Sequence, residues 1–213
     1  MIFFNEKNES ILQKTLIIVS LLIALFLSVF TNKYPLHFHQ IILIIFVSIY
    51  ILRLVLTLFR FIQRKLVWLE TLITSVLMSI ILYTLVNTGK ASPRSFGTYD
   101  LFGILLYVIG SFVNTYSEYL RYIWKSNQSN KGHIYRYGLF KYSMHINYFG
   151  DVLLFYGLSI LTGRLWTLII PTGMLLNFVI FIIPSLDNYL AKKYGDEFVE
   201  YSKTTKKLIP YIY

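Results

Sequence analysis

One stretch of the sequence concentrates side chains that could bind an anionic ligand. Residues 138–151 read GLFKYSMHINYFGD and carry Lys141, His145 and Asn147. Basic and amide side chains donate hydrogen bonds to phosphate and carboxylate oxygens. A long apolar run follows directly. This stretch therefore predicts an anion-binding mouth at one end of a helix bundle.

A second set of polar side chains precedes it. Asn114, Glu118, Arg121 and Lys125 have the spacing i, i+4, i+7 and i+11, which places them on one face of one helix. The polar face covers only the half of that helix nearer Lys125. It predicts a water-filled cavity entered from that end. Snorkelling to lipid headgroups would explain the two cations, but it would not explain Glu118 or Asn114.

Two ionisable residues lie within apolar segments, where charge is costly. One interpretation of Arg53 and Glu70 is a buried ion pair that holds a helical hairpin. In the other, Glu70 is a proton donor or a substrate ligand, with Tyr83 as a second acid candidate. Three hydroxyl residues follow Glu70 at a helical spacing typical of a packed helix interface: Thr71, Ser75 and Ser79.

The composition indicates which elements position these residues. The chain is 56% hydrophobic and 14% charged, whereas soluble domains carry roughly 25% charged residues. Apolar runs of about 20 residues, enough to span a bilayer, predict an all-α polytopic transmembrane helix bundle that forms a single integral membrane domain over residues 1–213. About six spans are predicted, at residues 11–31, 40–61, 66–87, 100–124, 146–162 and 165–186.

The net charge of +10 follows from membrane topology and does not require nucleic acid. Six spans place both termini on one side, and that side collects most of the lysines and arginines. The asymmetry predicts that both termini and the mouth face the cytoplasm. The chain has no cysteine, which excludes thiolate chemistry. His37 and His39 have no third ligand nearby, so no metal site is expected.

The C-terminal region predicts an amphipathic helix in the membrane interface over residues 186–201. Its apolar stripe consists of Leu186, Leu190, Tyr194, Phe198 and Tyr201. This helix is interpreted either as a surface anchor or as a cap over the mouth. The basic loop 126–137 suits phosphate groups or anionic lipid equally well.

These motifs together resemble a known family. The blocks NKGHIYRY, GLFKYSMHINYFGD and YLAKKYGDEFVEYSKTTKKLIPYIY look like the C-terminal domain of the steroid 5-alpha-reductase superfamily, its bacterial relatives and the sterol delta-14 reductases. The resemblance covers residues 100–213, which it marks as a cofactor-binding half. Isoprenylcysteine and phospholipid methyltransferases share the architecture and a related block.

The resemblance to the reductases implies an NADPH site. Asn147 would hold the nicotinamide end, Asp151 would support the site, Glu118 would face the adenosine part, Lys125 would contact phosphates, and Tyr194 would come from the tail. Basic side chains are assigned to phosphate on chemistry alone, and polar neighbours complete the cofactor-binding set: Arg136, Lys141 and His145, with Asn114, Arg121 and Tyr148.

The implied activity is reduction of an activated C=C bond in a lipid or steroid-like substrate. Departures from the family pattern leave two alternatives open. Ile146 replaces a proline, Met144 replaces an arginine, and residues 182–187 lack the family's cations. The alternatives are an S-adenosylmethionine-dependent membrane methyltransferase and a non-catalytic member of the fold. The expected partners are the bilayer and a lipophilic small molecule.

Overall fold

A computed structural model describes residues 10–30, 36–92 and 95–213. Within these ranges the secondary structure is helical, and the pairing of strand type is a single bridge between Ser143 and Lys206. The predicted all-α class is confirmed. The main helices are α1 (Ile11–Phe30), α2 (Phe38–Leu56), α3 (Trp68–Thr88), α4 (Thr98–Ser126), α5 (Ile146–Leu161), α6 (Ile169–Asn177), α7 (Ile183–Tyr194) and α8 (Asp196–Thr204).

Five helical stretches are long and apolar enough to cross a membrane, so the chain is an integral membrane protein. They are α1, α2 with the π-helical turn Thr57–Phe61, α3, α4 and the stretch Leu165–Tyr194. The last of these contains α6, the π-helical turn Phe178–Ile182 and α7. Helix α5 is apolar but has only 16 residues. Each of the six predicted apolar segments is helical.

The tail differs from its prediction. The prediction of a single amphipathic helix over residues 186–201 is wrong. The helix is interrupted at Gly195, whose φ of 56° lies in the left-handed region. The Gly195 N–H donates to the Ala191 carbonyl and ends α7. Helix α7 therefore continues the last apolar stretch, and α8 is a separate helix with Phe198 and Tyr201 buried.

The chain divides into two compact units, and unit 1 comprises Met1–Ile104 and Leu158–Thr167. In its described part α1, α2 and α3 pack around an apolar core in which Leu21, Leu43, Leu82 and Leu85 have no exposed surface. Lys14 Nζ donates to the Ile62 carbonyl at 2.8 Å. This bond fixes the start of α1 at the same end of the bundle as the turn between α2 and α3.

Unit 2 comprises Leu105–Gly157 and Leu168–Tyr213. Its helices α4 and α5 approach closely at two glycines. A Cβ atom built on Gly110 would lie 2.4 Å from the Gly150 carbonyl oxygen, and one built on Gly150 would lie 2.7 Å from the Asn114 backbone nitrogen. Only glycine fits at both positions without moving backbone. The close approach brings the polar faces of the two helices together.

Candidate functional site

The glycine contact sets the position of two amides in unit 2. Asn114 lies one turn beyond Gly110 on α4, and Asn147 lies in the first turn of α5. The Asn114 side chain donates from Nδ2 to the Asn147 carbonyl at 3.0 Å. Both residues are buried, with 5% and 9% of their surfaces exposed. Because the carbonyl acceptor belongs to the backbone, this bond ties the start of α5 to the middle of α4.

Glu118 joins the amide of Asn147 to a cation. Asn147 Nδ2 donates to Glu118 Oε1 at 2.9 Å, and the guanidinium of Arg121 donates to the same oxygen at 2.6 Å. Glu118 is buried, and its side chain is only 8% exposed, whereas that of Arg121 is 33% exposed. The Arg121 guanidinium also lies over the Phe140 ring, 5.3 Å from its centroid. The carboxylate is therefore compensated by one charged and one neutral donor.

His145 is the centre of a second polar contact. It immediately precedes α5, and its Nε2 lies 2.8 Å from Asp187 Oδ1. The other oxygen of Asp187 lies 3.5 Å from Lys207 Nζ. The His145 ring stacks on Tyr148, and Tyr148 stacks on Phe178 with centroids 4.7 Å apart. One carboxylate thus connects the start of α5, helix α7 and the tail.

Backbone hydrogen bonds hold the tail on the segment before α5. The N–H groups of Met144 and His145 donate to the carbonyls of Lys206 and Lys207 at 2.8 and 2.9 Å. The Ser143 hydroxyl donates to the Leu208 carbonyl at 2.7 Å. Donors that precede a helix are usually satisfied by a side-chain cap. Here the tail backbone provides the acceptors, so the tail defines where α5 begins.

Helix α8 fixes the basic loop. Glu197 accepts from the Ile134 N–H at 3.0 Å and lies 3.2 Å from His133 Nδ1. The Tyr201 hydroxyl donates to the Phe140 carbonyl at 2.6 Å, and burial raises the pKa of that phenol. Arg136 lies 3.9 Å from the exposed Glu200. The residues that precede α5 are therefore ordered by acceptors and donors from α8.

The predicted cofactor-binding residues all lie in unit 2, and several contact one another. Asn114, Glu118, Arg121 and Asn147 form the hydrogen-bonded cluster described above. The other members lie on the same unit: Lys125, Arg136 and Lys141 are exposed, His145 and Tyr148 stack, Asp151 is half-buried on α5, and Tyr194 packs beside Ile134, Met144, Phe198 and Tyr201.

The predicted ion pair of Arg53 and Glu70 is wrong. Arg64 donates to both oxygens of Glu70, from Nη1 to Oε2 at 2.8 Å and from Nη2 to Oε1. The chain leaves α2 and its π-helical turn at Phe61 and starts α3 at Trp68. Arg53 therefore lies about 12 Å inside its end of the bundle and Glu70 only about 3 Å, at 1.5 Å per residue.

The two acid candidates, Glu70 and Tyr83, lie in unit 1. The Glu70 carboxylate is held by Arg64 and its side chain is 40% exposed. Tyr83 is 39% exposed on α3, and its backbone carbonyl accepts from Asn87. Their catalytic role stays a prediction. An exposed carboxylate paired with arginine is poorly suited to donate a proton, since the pairing favours the ionised form.

Sequence reasoning missed several polar partners. Asp187 was part of the segment 182–187 singled out for lacking cations, yet its own charge binds His145. Glu197 lies within the predicted tail helix but outside its apolar stripe. In unit 1 the missed partner is Asp100, which is fully buried 3.3 Å from His39 Nε2. An acid close to the end of an apolar run was the available signal for Asp100 and Asp187.

In residues 10–30, 36–92 and 95–213, no group of three or more His, Cys, Asp or Glu side chains is arranged to hold a metal ion.

The fold and the cluster define a class: a helical integral membrane protein with a buried carboxylate and amide cluster in its second half. Residues 61–205 match the family described as "Protein of unknown function (DUF1295)", which covers more than half of the chain. The protein belongs to that family. No curated protein matches the chain.

Proposed function

We propose that this protein is a membrane-embedded, NADPH-dependent reductase of an activated C=C bond in a lipid or steroid-like substrate. The observation that carries the proposal is the buried cluster of Asn114, Glu118 and Asn147 beside the glycine contact of α4 and α5. The resemblance of residues 100–213 to the steroid 5-alpha-reductase superfamily supports it. Membership of the DUF1295 family is compatible with it.

The donor and acceptor set of the cluster fits the nicotinamide end of the cofactor. Asn114 Oδ1 is buried and has no hydrogen-bond partner in the part of the chain that the structure describes. Glu118 accepts a hydrogen bond from Asn147 Nδ2, which orients the Asn147 amide so that its oxygen can accept from a ligand. A carboxamide offers an N–H to such oxygens. A buried acceptor without a donor is costly, and a ligand N–H would remove that cost.

The exposed cations fit the phosphates. Lys125, Arg136 and Lys141 are exposed in unit 2. Ammonium and guanidinium groups bind phosphate oxygens through charge-assisted hydrogen bonds. S-adenosylmethionine carries no phosphate, so these cations favour a phosphorylated cofactor. The charge of Lys207 is shared with Asp187 and that of Arg136 with Glu200, which leaves Lys125 and Lys141 as the stronger phosphate ligands.

Bound NADPH would supply the hydride. The chain's own residues would bind and orient: Asn147 and Asn114 would fix the carboxamide, Glu118 would hold the amide of Asn147 in place, and Lys125 would anchor the phosphates. Burial of the cluster excludes water from its hydrogen bonds, which strengthens them. The acid roles of Glu70 and Tyr83 stay predictions, and the pairing with Arg64 makes Glu70 the weaker candidate.

Titration calorimetry of the purified protein in detergent with NADPH and with S-adenosylmethionine tests the proposal. We expect NADPH to bind preferentially. Asn147→Ala and Lys125→Ala should each weaken NADPH binding by about 1–3 kcal/mol, the range for a lost buried or charged hydrogen bond. The matched controls are Asn188→Ala, which is exposed on α7, and Lys90→Ala in unit 1.

Any other result of the calorimetry would favour one of the two alternative functions. Binding of S-adenosylmethionine without NADPH would place the protein with the methyltransferases. No signal with either ligand, from protein that still unfolds cooperatively, would indicate a non-catalytic member of the fold. Because Lys125 is exposed, Lys125→Ala separates ligand binding from folding more cleanly than Asn147→Ala does.

We also propose that both termini and the mouth face the cytoplasm. The support is the lysine and arginine asymmetry of the sequence. Single cysteines can be introduced cleanly, since the chain has none. Cysteines at Lys131 and Tyr213 should react with a membrane-impermeant label only from the cytoplasmic side, and one at Lys90 only from the other. Labelling of positions 90 and 131 from the same side would overturn the six-span topology.

A further inference from the structure

Residues 208–213 of unit 2 form a closed turn, the tail turn, that exposes aromatic and apolar side chains. The Leu208 N–H donates to the Tyr213 carbonyl at 2.6 Å, which folds the backbone back on itself. Tyr211 has a φ of 66°, in the left-handed region that a residue with a bulky side chain rarely adopts. Tyr211 is 78% exposed and Ile212 is 75% exposed. The backbone of the tail turn is therefore held by hydrogen bonds, while the side chains at its tip are exposed.

The base of the tail turn is fixed to the rest of unit 2. Leu208 has no exposed surface, and the Ser143 hydroxyl donates to its carbonyl at 2.7 Å. A left-handed tyrosine costs free energy, and so does apolar surface held in water. Backbone outliers of this kind persist where the surrounding structure imposes them, and they concentrate at functional sites. Because the fixed base imposes the exposure of Tyr211 and Ile212, these two side chains indicate a binding surface.

The tail turn starts at the level of the membrane surface. The chain just before it pairs with the segment that leads into α5, through the bridge between Lys206 and Ser143. The apolar helix α5 starts three residues later, at Ile146. In a membrane protein the start of an apolar helix lies near the boundary between the hydrocarbon and the lipid headgroups. The Tyr211 ring lies 5.9 Å from the ring of Tyr142, which also precedes α5, so the tip of the turn stays close to this boundary.

The two segments that meet at the tail turn are basic. Residues 138–150 and 201–213 contain four lysines and no aspartate or glutamate. All four lysines are exposed: Lys141, Lys203, Lys206 and Lys207. Asp187 lies 3.5 Å from Lys207 and can neutralise no more than that one charge. Cations beside exposed aromatic and apolar side chains match a surface that is anionic outside and apolar beneath, which is the structure of a bilayer with anionic lipids.

We propose that the tail turn inserts into the headgroup region of a bilayer that contains anionic lipids. Tyr211 and Ile212 lie among the headgroups and the first acyl carbons, and Lys203 and Lys206 contact lipid phosphates. Insertion removes the apolar tip from water and brings the lysines to negative charge. This surface is formed by unit 2 alone, and it depends neither on a cofactor nor on a reaction. A second copy of the chain could cover the same tip, and the experiment distinguishes that occupant from lipid.

A fluorescent label at the tip tests the insertion. Because the chain has no cysteine, Ile212→Cys can carry a single environment-sensitive NBD group. The labelled full chain is reconstituted into vesicles of phosphatidylcholine alone and of equal parts phosphatidylcholine and phosphatidylglycerol. We expect lipids that are spin-labelled near the headgroup to quench the NBD emission, more strongly in the anionic vesicles. Glu200→Cys is the matched control, because the Glu200 side chain is 73% exposed, and its label should not be quenched.

Two changes in the labelled protein separate charge from apolar contact. A lysine near an anionic surface favours insertion by about fivefold. The double variant Lys203→Gln, Lys206→Gln should therefore lower the ratio of inserted to exposed label at least about fivefold in anionic vesicles, and it should have no effect in phosphatidylcholine. Lys90→Gln in unit 1 is the matched control and should change neither. Tyr211→Asn keeps a residue that tolerates the left-handed backbone but removes the ring, so it should reduce quenching in both kinds of vesicle.

Three results would overturn the proposal. The first is equal quenching of labels at positions 212 and 200. The second is quenching at position 212 that is the same in both kinds of vesicle and unaffected by the lysine substitutions, because anionic lipid would then have no part in it. The third is a blue-shifted emission without quenching by spin-labelled lipid that increases with the protein-to-lipid ratio, which would identify a second copy of the chain as the occupant. If Ile212→Cys does not fold, Tyr213→Cys, at a residue that is 40% exposed, carries the label instead.

Discussion

The two units are stabilised by different interactions. The described helices of unit 1 pack mainly through an apolar core of fully buried leucines. Of its ion pairs, Arg64 with Glu70 is at least 40% exposed on both sides, and His39 with Asp100 is buried. Unit 2 is cross-linked by buried polar contacts between segments distant in sequence, such as Asn147 with Glu118 and His145 with Asp187. A core of leucines tolerates substitution of similar volume, whereas a buried polar network fails when one member is removed.

This difference affects how selective a binding site in each unit could be. A polar cluster whose donors and acceptors are already aligned can recognise one arrangement of ligand atoms. An apolar bundle accepts ligands that differ in chain length or shape, because dispersion contacts are not directional. Under the function proposed above, we therefore expect unit 2 to discriminate strictly between cofactors. The following predictions begin with the largest expected effect.

Loss of the Glu118 carboxylate should be the most damaging change. Glu118→Ala removes the acceptor of both Asn147 and Arg121 and should lower the free energy of unfolding by about 3 kcal/mol. Glu200→Ala is the control, because that carboxylate is 73% exposed and 3.9 Å from Arg136. It should cost less than about 1 kcal/mol. Unfolding in detergent measures both, and similar costs would show that the buried cluster does not stabilise unit 2.

The glycine contact should be nearly as sensitive. Gly110→Ala places a Cβ 2.4 Å from the Gly150 carbonyl oxygen and 2.5 Å from the Leu154 nitrogen. Because both obstacles are backbone atoms, we expect a cost of about 2 kcal/mol. Gly173→Ala on α6 meets nothing within 4 Å, and it should be neutral or stabilising by up to about 1 kcal/mol. Thermal unfolding of the two variants compares them, and a Gly110→Ala protein as stable as the wild type would contradict the close approach.

A smaller effect is expected at Tyr201, with a characteristic pH dependence. Tyr201→Phe removes the 2.6 Å bond to the Phe140 carbonyl and should cost about 1 kcal/mol near neutral pH. Burial raises the pKa of Tyr201 in the folded protein, while an unfolded tyrosine ionises near pH 10. The stabilisation is therefore complete below about pH 10 and is lost as the pH rises further.

Unfolding measured from neutral to strongly alkaline pH checks this dependence. The stability difference between the wild type and Tyr201→Phe should shrink above about pH 10. Tyr189→Phe is the control, since Tyr189 is 52% exposed, and it should change neither the stability nor its pH dependence. A difference that grows with alkaline pH would contradict a buried neutral phenol.

The smallest effect is expected at Glu70. Glu70→Gln weakens a partly exposed pair with Arg64 and should cost less than about 1 kcal/mol. A buried pair of Arg53 and Glu70, as the sequence predicts, would cost about 3–5 kcal/mol instead. Thermal unfolding distinguishes these values. A large loss would show that Glu70 supports unit 1 more than its contacts with Arg64 indicate.

The helices could be predicted because hydropathy and length constrain them strongly. The first five apolar segments were placed within a few residues, since no other element satisfies its backbone hydrogen bonds in a bilayer. The sixth was predicted to end at residue 186, whereas its helical stretch continues to Tyr194. The tail was harder, because an apolar stripe continues past Gly195 although the backbone does not. The apolar periodicity indicates which residues face inward, but it does not indicate that a residue with a left-handed backbone conformation interrupts the helix.

The polar partners were predictable only within one helix. Helical spacing correctly grouped Asn114, Glu118 and Arg121 on one face. Contacts between distant segments depend on where each helix begins. An error of a few residues in a predicted helix start is enough to assign the wrong partner. Because the connection between the helices comprises the six residues 62–67, Glu70 lies at the end of the bundle and Arg53 lies deep inside it. For the same reason the position of Asp187 close to the end of an apolar run did not indicate that its partner is His145, 42 residues away.

The tail contacts before α5 have a consequence for biosynthesis. Ser143 and its acceptor Lys207 are 64 residues apart, so at about 5–20 residues per second the acceptor is made about 3–13 s after the donor. The donors that precede α5 therefore have no tail acceptors until the last residues of the chain have been made. Ribosome-bound chains that end before residue 206 should consequently carry an α5 start that is accessible to protease, and release of the tail should protect it.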